Sequence, residues 1–125
     1  YLMSKSKIQI YKNKKKITTK KMLDICQEQH HNFEKKFQVY KDFRDKGYIV
    51  NPGIKFGCDF AVYQKGPGID HAPFLVQVYN RNENMTSTDI VLAGRLASSV
   101  KKQFILAIPS GKDKVDYVAL DWWKA

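Results

Sequence analysis

Four aromatic residues, Phe33, Phe37, Tyr40 and Phe43, recur at spacings of four, three and three. That spacing draws a single stripe along one side of an α-helix, and a striped helix must bury its apolar side against another element. Gly47 supplies a natural C-terminal stop. An apolar run from Tyr48 to Val50 follows, then Asn51-Pro52-Gly53, whose proline and glycine suit the central positions of a type II turn. From Ile54 to Tyr63 the period changes to two. Phe56, Cys58, Phe60 and Val62 fall on one side of a strand, expected to be its core face, and Gly57, Asp59, Ala61 and Tyr63 on the other.

Gly66-Pro67-Gly68 breaks the chain, and His71 opens a second strand running to Val78. Asn80 to Met85 reads as a loop. Thr86 and Asp89 then have the spacing of a capping box, with aspartate in the usual glutamate position. The helix that follows carries Ile90, Ala93, Ala97 and Val100 along one line, widened by Leu92 and Leu96, and ends on Lys101 and Lys102, whose charges complement its dipole. Phe104 to Ile108 reads as a buried strand, Pro109 to Lys114 as a turn, and Val115 to Trp123 as a last strand. Upstream, Ile8 to Tyr11 suits a short strand and Lys12 to Lys16 an exposed connection. Thr18 or Thr19 caps a helix whose apolar face is Met22, Leu23, Ile25 and Cys26. The order predicts a mixed α/β domain of the α+β type, a mixed, largely antiparallel sheet packed by helices. The 125 residues suit one core. Core signals are poorer at the start, dividing the chain into a short N-terminal segment, 1–36, and a main domain, 37–125.

A formal charge of +10 and a pI near 9.6 make a field that attracts polyanions, chiefly nucleic acid; a solvated basic face is the plainer alternative. No run approaches the roughly 20 apolar residues of a membrane helix. No signal-peptide pattern is visible either, so an intracellular protein is expected. Cys26 and Cys58 lack a C-x-x-C spacing and read as core residues. Cys26 with His30 and His31 has no recognised zinc spacing, so no metal site is expected.

Tyr63 alternates away from Phe60 and Val62, just before a glycine-proline-glycine break. It reads as a chemically used tyrosine or, equally, as a strand-end residue with a packed ring and a solvated hydroxyl. His71, eight residues on, returns beside that strand if Gly66 to Asp70 forms a tight loop. Histidine is suited to proton transfer near neutral pH, although a loop-end histidine is often only a surface residue. Arg95 and Lys102 are seven apart, two helical turns or about 10.5 Å. They make either an RNA-contacting face or a solvated one.

Three blocks together resemble the catalytic domain of the tRNA-splicing endonuclease family. The first is Val39 to Val50 leading into Lys55-Phe56-Gly57-Cys58-Asp59-Phe60-Ala61-Val62-Tyr63, similar to the family's F-G-x-D-F-x-V-Y. The second is His71-Ala72-Pro73-Phe74-Leu75-Val76, and the third Gly94-Arg95-Leu96-Ala97-Ser98-Ser99-Val100-Lys101-Lys102. The resemblance spans Phe37 to Trp123. It implies a catalytic triad of Tyr63, His71 and Lys102, the register favouring Lys102 over Lys101. The implied reaction excises introns from precursor tRNA at bulge-helix-bulge sites without a metal or other cofactor, leaving 2′,3′-cyclic phosphate and 5′-hydroxyl ends. Arg95 and Trp122 match the clamp that holds a bulge base.

Family members that work alone have a longer, helix-rich N-terminal domain, and here about 36 residues precede the match. The turn from Pro109 to Asp116 balances Asp113 and Asp116 with Lys112 and Lys114, where docking subunits are acidic. Both departures favour an archaeal-type catalytic subunit working with a non-catalytic partner, two copies of each. A metal-dependent nuclease would need [D/E]-x-K after Asp59, and Tyr63-Gln64-Lys65 has no carboxylate. A non-catalytic subunit of the same complex is the nearer rival, but such subunits usually lose triad residues.

Overall fold

The computed structural model describes residues 1–71 and 73–121. Its elements run β1 (Ile10–Lys12), β2 (Lys15–Ile17), α1 (Thr19–Gln29), α2 (Phe33–Asp45), β3 (Ile49–Pro52), β4 (Phe60–Tyr63), β5 (Phe74–Val78), α3 (Ser87–Ser99), β6 (Gln103–Pro109) and β7 (Val115–Leu120). Strands β3 to β7 form one sheet in chain order, antiparallel throughout except for β5 and β6, which run parallel. The expected mixed, largely antiparallel α+β architecture is the observed one.

Parallel neighbours need a crossover, and α3 provides it. Its start is fixed by the expected capping box: Thr86 Oγ1 accepts from the Asp89 amide at 3.2 Å, and the Asp89 carboxylate accepts from the Thr86 amide at 2.8 Å. One side of the sheet buries Val50, Val62, Val76, Ile105 and Ala107 against Val39 and Phe43 of α2. The other buries Ala61, Leu75, Phe104 and Leu106 against Ala93 and Ala97 of α3. Tyr117 of β7 anchors α2 further, its ring 5.1 Å from that of Phe43 and its hydroxyl donating to Asp42. Burial, with that carboxylate beside it, pushes the Tyr117 hydroxyl pKa well up.

Several local expectations change. Strand β4 begins only at Phe60, because Ile54–Phe56 wind into a 3-10 turn closed by Gly57 at φ +70°. Phe56 and Cys58 are therefore not on the face of Phe60 and Val62; they pack with Ala61 on the α3 side. The type II turn fails as well: Pro52 ends β3, and Gly53 takes φ −90° rather than the positive value such a turn demands. Lys12 to Lys16 is not a plain connection but a hairpin, whose central Asn13 and Lys14 have φ of 50° and 61°, as a type I′ turn requires. The strand expected to open at His71 is β5, which starts at Phe74.

Gly53 serves close approach. A Cβ there would lie 2.6 Å from both the carbonyl oxygen and Sγ of Cys58, and 2.8 Å from the Phe60 amide nitrogen. Gly53→Ala should therefore destabilise the fold by about 2 kcal/mol, within the ordinary cost of overpacking, measured as a lower urea midpoint at unchanged m-value.

Candidate active site

Register brings the sequence-derived candidates to one end of the sheet. Val62 pairs with Phe74, and Phe74 pairs with Gln103. One residue further out on the same row come Tyr63 on β4, Pro73 before β5 and Lys102 before β6. The Gln103 amide donating to the Pro73 carbonyl at 2.9 Å holds the last two strand entries level. Strands sit about 4.8 Å apart, so the Tyr63 and Lys102 backbones flank the entry to β5 at about 10 Å from each other.

Tyr63 is half-buried and packs on the α3 side of the core together with Phe56. The Lys102 Nζ lies 5.8 Å from the centre of the Phe56 ring, within cation–π range. Phe56 thus links the two candidates. Sequence alternation placed Tyr63 off the core face; in fact both faces of β4 are core, and Tyr63 sits on the one covered by α3.

Lys102 does not extend α3. The helix stops at Ser99, Lys101 takes a left-handed φ of 52°, and the Lys102 amide donates back to the Ala97 carbonyl at 2.9 Å while the Lys101 amide donates to that of Ser98 at 3.2 Å. These two bonds define a Schellman motif with lysine in the position glycine usually occupies. Arg95 and Lys102 are consequently not two turns apart on one helix. Arg95 is exposed on α3, two residues from buried Ala93 and from buried Ala97, and so on the outward side. Trp122 lies outside the described residues.

His71 is exposed and follows a loop that closes on itself. The Asp70 carboxylate accepts from the amides of Gln64 at 3.0 Å, Lys65 at 2.9 Å and Gly66 at 2.6 Å. That returns the chain to the end of β4, next to Tyr63, immediately before His71. Gly66 permits the turn with φ +124°. Nothing in the side-chain pattern singled out Asp70, although an aspartate closing a glycine-proline-glycine loop is the residue type that bonds its own backbone. Asp59 is occupied otherwise: it pairs with Lys36 at 2.6 Å and accepts from the Val78 amide at 2.9 Å, tying α2 to the sheet. The buried Cys58 thiol has its pKa raised by burial.

A family model described as the catalytic C-terminal domain of tRNA intron endonucleases matches residues 33–117. That range holds α2, α3, strands β3 to β6 and the first half of β7, so the class is that of this catalytic domain. Among curated relatives, the tRNA-splicing endonuclease of Hyperthermus butylicus is 50% identical over 93 residues, 74% of this chain and 51% of that protein. Those of Sulfurisphaera tokodaii and Pyrobaculum islandicum are 39% and 40% identical over 99% of this chain and 69% of each relative. The chain belongs to the tRNA intron endonuclease family, and it spans between about half and about two-thirds of the length of these relatives.

The amides of Lys65, Gly66 and Gln64, in that order of weight, hold the Asp70 carboxyl below the usual carboxylate range. A depressed folded-state pKa means the stabilisation is present above the unfolded value near 3.9 and is lost as pH falls through the folded one. Protection of the Gln64, Lys65 and Gly66 amides from exchange, relative to their intrinsic rates, should accordingly fall selectively below about pH 4, and Asp70→Ala should remove that protection at neutral pH.

Proposed function

We propose that this chain is the catalytic part of a metal-independent endoribonuclease that excises introns from precursor tRNA at bulge-helix-bulge sites. What supports the reading is that Tyr63, the segment leading into His71 and Lys102 lie at one end of the sheet in a member of this family. Residues 37–125 carry the chemistry, and the protein acts inside the cell.

Tyr63 takes the proton of the ribose 2′-hydroxyl, whose oxygen attacks the adjacent phosphorus. His71 protonates the departing 5′-oxygen, and Lys102 stabilises charge on the phosphoryl oxygens, leaving a 2′,3′-cyclic phosphate and a 5′-hydroxyl. Arg95 and Trp122 stack on the bulge base.

A non-catalytic subunit completes RNA placement in a heterotetramer of two plus two. The loop between β6 and β7 supports this arrangement, because it is not acidic and is engaged by its own α2. Gln38 donates to the Gly111 and Lys114 carbonyls at 2.8 and 3.0 Å, and Lys41 pairs with Asp113 at 3.3 Å.

Cleavage of a bulge-helix-bulge RNA with the partner present should persist in excess EDTA, and His71→Ala should lower kcat by about 10²- to 10⁴-fold, the usual worth of a general acid. Activity lost to EDTA, or untouched by the histidine change, overturns this mechanism.

A further inference from the structure

Eight lysines precede the first carboxylate of the chain, Asp24, so residues 1–23 hold eight of the ten net positive charges. Their arrangement works against folding. Lys12 and Lys15 are directly opposite each other across the β1–β2 hairpin, where like charges repel. The first turn of α1 has no acidic residue and carries Lys20 and Lys21 at the end where the helix dipole is already positive.

The two unfavourable features face one another. Lys12, Lys15, Lys16 and Lys21 line a groove of about 560 Å³ between the hairpin and the start of α1, and no carboxylate lines it. Among the described residues none of these four lysines belongs to an ion pair. A polyanion in the groove would relieve the strand-pair repulsion and the helix-end penalty together.

We propose that this groove takes a stretch of phosphate backbone of the RNA substrate, away from the bond that is cut. The inference rests on the RNA-cleavage reading above for the identity of the polyanion. Protein-binding surfaces are depleted of lysine and built around aromatic or arginine anchors, whereas lysine clusters are what phosphate backbones select. The groove's apolar lining is only Ile17 and Ile25. Its position is also distinct: α1 packs on α2, which covers the sheet face opposite α3, while Tyr63 and Phe56 pack on the α3 side. Only an RNA extending past the cleaved bulge reaches both.

The test compares a short bulge-helix-bulge RNA with the same RNA extended by a duplex arm, binding each to the full chain with its partner over a range of salt. For Lys12→Gln/Lys15→Gln/Lys21→Gln, the slope of log Kd against log salt for the extended RNA should shrink by about 2 to 3. The short RNA should keep its slope and its kcat. The melting temperature should hold or rise, since repulsion has been removed, and the corresponding triple arginine variant should restore the slope. An unchanged slope with the extended RNA overturns the proposal and leaves an acidic protein as the groove's candidate occupant. Equal weakening on both RNAs with a lowered melting temperature overturns it in favour of a structural role. If the wild type binds the extended RNA without cutting it, the slopes still decide the groove, and the nuclease reading alone has failed.

Discussion

The parallel pairing of β5 with β6 is the constraint on which the rest of this structure depends. Parallel neighbours cannot be joined by a tight turn, so the chain must leave β5 at one end of the sheet and return to the other end through a helix. Five residue pairs from Phe74–Gln103 to Val78–Ala107 hold that register. Both strands are central and covered on both faces, Leu75, Phe104 and Leu106 beneath α3 and Val76, Ile105 and Ala107 beneath α2. The consequence for chemistry is geometric. A parallel pair enters the sheet at one end, so the residues just before β5 and just before β6 are neighbours; β4, antiparallel to β5, finishes at that same end. Tyr63, the His71 segment and Lys102 stand at one end of the sheet because one strand ends where two begin.

Much of this was legible from side-chain pattern because the relevant signals are local. The aromatic stripe of α2, the Thr86–Asp89 capping box and the break at Gly66 each reflect contacts between residues a few positions apart. What could not be read was set by how the backbone closes in three dimensions, within the loops and across the strands. Ile54 to Cys58 alternates like a strand, yet the close approach of Gly53 to Cys58 and Phe60 curls it into a 3-10 turn. Alternation in β4 suggested one core face, whereas a sheet layered between two helices has two, and only the pairing with β5 shows that Ala61 and Tyr63 are as much interior positions as Phe60 and Val62. Asp70 lay in plain view, but its three amide donors become visible only once the loop is closed.

The end of α3 shows a local preference yielding to a positional demand. Helical periodicity carries smoothly through Val100 into Lys101 and Lys102, and the two lysines suit a helix C-terminus, so nothing in the pattern announces a stop at Ser99. The stop is made by backbone conformation alone: Lys101 enters the left-handed region, at a cost of about 1–2 kcal/mol for a residue with a Cβ, and two reverse amide bonds satisfy the carbonyls of Ala97 and Ser98. Glycine would make the same turn without that cost. The reversal delivers Lys102 to the edge of β6 in register with Pro73, and its ammonium group to the Phe56 ring. Were the helix to continue by one turn, Lys102 would travel with Arg95 along α3 instead of standing at the same end of the sheet as Tyr63. A lysine thus reaches the candidate site because the chain leaves the helix early, and the energy spent at Lys101 is offset by the buried pairing of β6 that begins two residues later.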